Sequence, residues 1–178
     1  MPRLFTGLEL PESVGSQIAL LRGGLVGARW IEPTDYHITL RFIGDIDGRA
    51  AHDVFETLSE VRRAAAPPVR FEGLGAFGGK RPRAIVLRVK PEPELVDLQA
   101  EHERRLRRIG LEPETRKYLP HVTLARLRGP NSHAVADYLA VRGGQGVDSF
   151  TPGRFVLFSS RDSVGGGPYV VEAGFPLG

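Results

Sequence analysis

The sequence predicts an α+β fold of two pseudo-symmetric lobes, each a largely antiparallel sheet packed with helices, with a cleft between them. Three observations carry this expectation. Apolar residues recur at helical intervals in four segments, β-branched and aromatic runs fill the gaps between them, and the order of these elements repeats along the chain. From His37 the chain reads strand, helix, strand near Phe71, strand near Ala84. From His121 it reads strand, helix, strand near Phe155, strand near Tyr169, and Phe155 follows His121 by the same interval as Phe71 follows His37. Matched order and spacing indicate an internal repeat, about 1–90 and 91–178, within one bilobal domain spanning 1–178.

Taken in order, residues 3–10 read as a strand, and Val14, Ile18, Leu21 and Leu25 place a helix over 12–26 after Pro11. A strand over 36–43 leads through Asp45-Ile46-Asp47-Gly48, an Asp-rich helix entry, to a helix over 49–65 built on Ala51, Val54, Phe55, Leu58 and Val61. Strands over 69–77 and 83–90 follow. The third helix, about 92–109, carries Leu95, Leu98, His102, Leu106 and Ile109 on one stripe and stops at Gly110. After a strand over 121–128, Asn131 is the expected N-cap of a helix over 132–141, and strands over 153–160 and 168–175 complete the chain.

At 178 residues the chain is long enough for one stable core without covalent staples. It has no cysteine, which removes disulfides, zinc–thiolate and iron–sulfur sites and any thiol nucleophile. No run of about 18 apolar residues occurs, and the start, Met1-Pro2-Arg3-Leu4-Phe5, lacks the apolar core of a signal peptide. A cytoplasmic, membrane-free protein is expected. Its 24 basic against 21 acidic residues give a net charge of +3, and nearly all the cations are arginine, which suits phosphate ligands.

The chemistry concentrates in two tetrapeptides, His37-Ile38-Thr39-Leu40 and His121-Val122-Thr123-Leu124, which hold two of the five histidines. Strand alternation puts His37 and Thr39 on one face and Ile38, Leu40 and Phe42 on the other; His121 and Thr123 are set against Val122 and Leu124 in the same way. The apolar face makes core, and the polar face offers an imidazole beside a hydroxyl. Brought together across a cleft, two imidazoles that titrate near neutrality can act as base and acid at phosphorus. Two hydroxyls can meanwhile donate to its non-bridging oxygens. Such chemistry needs no metal, and the spacings of a two-histidine metal site, H-x-H or H-x-x-x-H, are absent.

Here the residues carry a family resemblance. The paired H-x-T-L motifs resemble the two H-x-T-x motifs of the 2H phosphoesterase superfamily. Arg3-Leu-Phe-Thr-Gly-Leu-Glu-Leu-Pro, Arg29-Trp-Ile-Glu-Pro, His37-Ile-Thr-Leu-Arg-Phe-Ile-Gly, Pro120-His-Val-Thr-Leu-Ala-Arg and Gly167-Pro-Tyr-Val-Val-Glu are similar to the RNA 2′,3′-cyclic phosphodiesterases, also called 2′-5′ RNA ligases. The resemblance implies hydrolysis of a terminal 2′,3′-cyclic phosphate to a 2′-phosphate, and a weak ATP-independent joining of RNA ends in the reverse sense. It implies His37 as proton donor to the leaving 3′-oxygen, His121 as proton acceptor, and Thr39 and Thr123 as phosphate-oxygen ligands. Arg126 resembles the family's phosphate-contacting arginine. Its strand parity matches core-facing Val122 and Leu124, so it reaches the cleft only if the strand bulges or ends first, whereas Arg41 shares the parity of His37. Both are carried forward as phosphate-binding candidates. The implied partner is RNA with a 2′,3′-cyclic phosphate end, with tRNA fragments among the candidates; no cofactor or metal is implied, and a monomer is expected.

Other features weigh less. Gly73-Leu-Gly-Ala-Phe-Gly78 matches a dinucleotide fingerprint but is followed by Gly79, Lys80 and Pro82 rather than a helix, so a loop between strands is the expectation. His102 reads as a satisfied core histidine, and His52 and His133 as exposed. Arg104-Arg105-Leu106-Arg107-Arg108 reads as a solvated helix end, and Trp30, Phe5, Tyr36 and Tyr118 as packing aromatics before base-stacking ones. Two further functions fit the residues: a phosphodiesterase for small cyclic nucleotides or sugar-nucleotide cyclic phosphates, and a non-catalytic binder of RNA ends.

Overall fold

The computed structural model describes residues 3–62, 65–129, 132–160 and 167–178. The elements run β1 (Arg3–Glu9), α1 (Glu12–Ala19), β2 (Ala28–Trp30), a 3-10 turn (Pro33–Asp35), β3 (His37–Asp45), α2 (Gly48–Ser59), β4 (Phe71–Phe77) and β5 (Ala84–Val89). They continue with α3 (Pro93–Arg108), β6 (His121–Leu127), α4 (Ser132–Arg142), β7 (Arg154–Ser160) and β8 (Val170–Pro176). All four expected helices and seven expected strands are present. The first helix stops at Ala19, short of 26, because Gly23 and Gly24 follow with φ of +93° and +80°. Leu21 nevertheless stays buried. The second begins as expected, with the Asp47 carboxylate accepting from the Ala50 N–H at 2.8 Å, but ends at Ser59. The Asn131 N-cap lies outside the described residues. Residues 28–30 form a three-residue strand that the sequence pattern is too short to reveal.

Every strand pairing is antiparallel, in the order β4-β5-β6-β3-β1-β7-β8, with β2 also on β6. Two lobes meet at its centre, β4-β5-β6-β2 on one side and β3-β1-β7-β8 on the other. Among the described residues one pair, Ile38 with Val122, joins their named strands, and Val69 bridges Phe150 just ahead of β4 and β7. The lobes are not the two halves of the chain. The β4–β5 hairpin, from the first half, pairs with β6 of the second, and the β7–β8 hairpin, from the second, pairs with β1 of the first. The helices cross over too: α3 packs on β3 and on α2, α2 reaches β8, α4 covers β4, and the Tyr138 hydroxyl of α4 donates to the Leu21 carbonyl just past α1 at 2.5 Å. A continuous core of Leu8, Ile18, Ile38, Leu87, Leu98, Val122, Leu124 and Phe155 runs beneath both lobes.

Both motif strands carry a β-bulge at the same place. Thr6 pairs with Arg41 and Gly7 with Thr39, leaving Leu40 as an extra residue; Ile85 pairs with Ala125 and Val86 with Thr123, leaving Leu124. Beyond each bulge the alternation is inverted, so Arg41 and Ala125 join the buried face while Phe42 and Arg126 turn outward. The pattern corrects the expected core orientation of Phe42, which is 48% exposed. In the glycine-rich stretch, Gly73 and Gly75 lie within β4 and Gly78, at φ +114°, makes the hairpin turn, so it is strand and turn rather than a connecting loop or a nucleotide cradle.

Gly7 is required by the close approach of β3. A Cβ there would lie 2.7 Å from the Ile38 carbonyl oxygen and 3.2 Å from the Phe158 ring. The Gly7→Ala variant should lose about 1–3 kcal/mol of stability, read as a lowered denaturant midpoint, because backbone on one side and a packed ring on the other leave the methyl no room.

Candidate active site

The Ile38–Val122 pair fixes the site. Its members are fully buried, so their flanking residues project to the opposite face, and antiparallel pairing sets His37 across from Thr123 and Thr39 across from His121. All four polar motif residues therefore converge from two lobes onto one patch of sheet.

Backbone carbonyls orient both imidazoles in the same way. His37 Nδ1 lies 2.9 Å from the Asp35 carbonyl and His121 Nδ1 lies 2.7 Å from that of Leu119. A carbonyl only accepts, so each Nδ1 carries the hydrogen and each neutral ring keeps a lone pair on Nε2. In His37 that lone pair takes a hydrogen bond from the Thr39 hydroxyl at 3.1 Å. Tyr118 donates its hydroxyl to the Thr39 carbonyl at 2.8 Å and so ties the segment ahead of β6 to β3.

Aromatic rings wall each histidine. His37 packs against Phe5, Phe158 and Tyr169, at centroid distances of 5.0, 5.5 and 4.9 Å. His121 and Phe77 meet in a T-shaped contact with ring centroids 4.8 Å apart, and the Arg88 guanidinium lies over the Phe77 ring. These rings strip water from the imidazoles and disfavour their charged forms. Burial, aided by the nearby charges of His121 and Arg126, pushes His37 down to about 4 against the pull of the Asp35 carbonyl. Burial likewise lowers His121, with Arg126 and Arg88 adding to the effect. A nearby anion would act in the opposite sense and favour their charged forms.

The four motif residues and Arg126 are brought together. Thr39, His121, Thr123 and Arg126 line a cleft of about 650 Å³ that also takes in Phe42, Phe77, Arg83, Lys117 and Tyr118. Arg41 borders this cleft, but its guanidinium is committed elsewhere: Nε bonds Glu103 on α3 at 2.5 Å, Nη2 bonds the Glu112 carbonyl at 2.5 Å, and Nη1 bonds the Phe42 carbonyl. The parity that favoured Arg41 fails because the bulge at Leu40 inverts it, and the same device at Leu124 brings Arg126 outward. Among the described residues no group of three His, Asp or Glu side chains is arranged to hold a metal ion.

Away from the cleft, His102 is fully buried, 3.0 Å from the Thr6 hydroxyl and edge-on to Phe155. His52 and His133 are exposed. In the arginine cluster Arg105 pairs with Glu101 and Glu60, and Arg107 with Glu103. Trp30 packs on Tyr138, and Tyr36 is buried. Sequence reasoning passed over Phe77, Phe158 and Tyr169, which lie far from the motifs along the chain.

The chain is similar to known proteins in sequence and in fold. The family described as LigT like phosphoesterase matches the chain twice, over residues 8–86 and 87–169. The RNA 2′,3′-cyclic phosphodiesterase of Aquifex aeolicus is 30% identical over 174 residues, covering 96% of this chain and 90% of that protein. The protein of the same name from Bacillus subtilis is 32% identical over 130 residues, 70% of this chain and 71% of its own. Among solved structures, apo LigT of E. coli superimposes with a TM-score of 0.77 at 20% identity, over 99% of this chain and 98% of that one. A Thermus thermophilus protein does so with a TM-score of 0.78 at 21% identity, over 98% and 97%. No described helix is long and apolar enough to cross a membrane.

Two outcomes follow from these buried charges and imidazoles. Because folding holds His37 neutral down to about pH 4 while the unfolded side chain protonates near 6.5, the unfolded state binds more protons between these values. Stability should therefore fall as pH drops from about 6.5 to 4, by roughly 2–3 kcal/mol from this residue, and denaturant titrations should show a shallower fall in His37→Gln. Arg41→Ala should destabilise by about 3–5 kcal/mol by leaving Glu103 without its buried partner, and Arg41→Ala/Glu103→Ala should recover part of that loss.

Proposed function

This chain belongs to the LigT-like phosphoesterase family, and from that premise we propose that it hydrolyses the 2′,3′-cyclic phosphate at an RNA end to a 2′-phosphate. The reading rests on one observation above the others, the convergence of two carbonyl-oriented imidazoles and two threonine hydroxyls on a single patch beside Arg126.

In the proposed step, His121 Nε2 takes a proton from water as the water oxygen bonds to phosphorus. The bond from phosphorus to the 3′-oxygen breaks, and protonated His37 delivers its Nε2 proton to that oxygen. The products are a 2′-phosphate and a 3′-hydroxyl. His121 then carries the proton that His37 has lost, and exchange with solvent resets the pair. Thr39 and Thr123 donate to the non-bridging oxygens, and Arg126 offsets the charge that builds on them. The 2′,3′-cyclic phosphodiester is an anion, so it raises the basicity of His37 and charges the acid as it binds. No metal takes part in this scheme. A 5′-hydroxyl in place of water would give 2′-5′ joining with no need of ATP.

Purified protein in EDTA with a short oligoribonucleotide ending in a 2′,3′-cyclic phosphate should yield the 2′-phosphate, identified by mass spectrometry and phosphatase sensitivity. His37→Ala and His121→Ala should each lose about 10²- to 10⁴-fold in rate. An unchanged oligonucleotide, or activity abolished by the chelator, overturns the reading. Arg126→Ala should cost about 10²-fold in kcat/KM, with Arg126→Lys intermediate. Both pH profiles should be bell-shaped. Because the bound anion raises both histidines, the kcat bell should sit at higher pH than the kcat/KM bell, and coincident profiles would count against substrate-assisted protonation.

A further inference from the structure

The three rings around His37 are held in different ways. Phe5 and Phe158 are buried and pair with each other across the ladder of β1 and β7. Tyr169 stands one residue outside the register of β7 and β8, which ends at Ser159 and Val170 among the described residues. Its ring nevertheless makes T-shaped contacts with His37 and Phe5, at centroid distances of 4.9 and 5.2 Å. What reaches its backbone is a carboxylate from the other half of the chain: the Tyr169 N–H donates to Asp35 Oδ1 at 3.2 Å. A Cβ at Gly167 would overlap that same carboxylate, so the approach to β8 is shaped around Asp35. Asp35 closes the 3-10 turn just before β3, and its own carbonyl lies 2.9 Å from His37 Nδ1. One residue thus reaches the imidazole twice, directly through its main chain and, through its side chain, by way of Tyr169.

We propose that Asp35 is a positioning residue for His37, its carboxylate seating Tyr169 so that the tyrosine ring completes the aromatic wall around the imidazole. The proposal rests on the reading of His37 as the proton donor. Asp35 can act on His37 in two ways, and they have opposite signs. A carboxylate near an imidazole favours the charged ring, whereas an aromatic wall strips away water and disfavours it. Asn at position 35 removes the charge and keeps an oxygen that can accept from the Tyr169 N–H; Ala removes both. The other charges facing His37 are His121 and Arg126 of β6, and Glu9, its register partner on β1, which Arg154 of β7 holds at 2.7 and 3.1 Å. These stay in place when residue 35 is changed.

The test follows the His37 ring by NMR through a pH titration of the full chain, with no ligand added, in wild type, Asp35→Ala, Asp35→Asn, Tyr169→Ala and Asp35→Ala/Tyr169→Ala. The His37 pKa should rise by about 1 or more in Asp35→Ala and stay at or below the wild-type value in Asp35→Asn. Tyr169→Ala should raise it as far, with little added in the double variant. Equal values in Asp35→Ala and Asp35→Asn overturn the proposal, as does a double variant in which the two rises add. Hydrogen exchange at the Tyr169 amide reads the link itself and should quicken in Asp35→Ala alone of the two Asp35 variants. Asp35→Ser, whose shorter side chain falls short of that amide, takes the place of Asp35→Ala if the latter does not fold. With the cyclic-phosphate oligonucleotide, kcat should drop about tenfold in Asp35→Ala and hold in Asp35→Asn, and an unchanged kcat in Asp35→Ala overturns the role. If wild type leaves the oligonucleotide intact, the phosphodiesterase reading is what has failed, and the titration decides the seating of Tyr169 by the same outcomes.

Discussion

One residue pair sets the geometry on which everything else depends. Ile38 and Val122 are each the apolar residue between a histidine and a threonine, and among the described residues their antiparallel pairing is where the named strands of the two lobes meet. Because side chains alternate along a strand, burying these two residues forces four polar neighbours onto the opposite face. A slip of one residue at this junction would send the imidazoles into the core and Ile38 and Val122 into the cleft. The junction is too short to hold the lobes in register by itself. That task falls to the hairpins and helices exchanged between the halves, which make the relative placement of the lobes a property of the whole core.

The second constraint is electrostatic. Phe5, Phe158, Tyr169 and Phe77 shield the imidazoles, and Arg126 adds positive charge beside them, so both histidines are shifted toward their neutral forms. This would be a poor arrangement for a resting acid. On the proposed reading it suits an acid that gains its proton when a phosphodiester binds. The backbone carbonyls of Asp35 and Leu119 complete the arrangement by fixing which nitrogen faces the ligand.

Much of the fold was legible in the sequence because its signals are local. Helical stripes such as Leu95, Leu98, His102 and Leu106 and the alternation in His-Ile-Thr-Leu report burial directly, and the duplicated motif pointed to the residues that meet at the junction. What escaped had nonlocal causes. Nothing in Leu40-Arg41-Phe42 or Leu124-Ala125-Arg126 marks a bulge, since the extra residue is Leu in both cases and a buried Leu fits an unbroken strand equally well. Arg41 and Phe42 consequently exchanged faces relative to expectation, and Arg126 came outward. The aromatic wall escaped for a similar reason: Phe158 and Tyr169 reach His37 only because β7 and its neighbour cross to the lobe that holds β1 and β3.

That crossing bears on how such a site could become asymmetric. Half of this chain on its own would lack the partner strands for its hairpin and would have to lend that hairpin to a second copy, completing each sheet reciprocally. In a pair of identical copies the position after the bulge would hold the same residue on both sides, either two cations or two phenyl rings. Only when the copies share one polypeptide can those positions diverge, with Arg126 and Phe42 facing one cleft and Arg41 and Ala125 beneath it. A shared polypeptide thus does more than tether the lobes, because it lets equivalent positions of the two motif strands carry different chemistry.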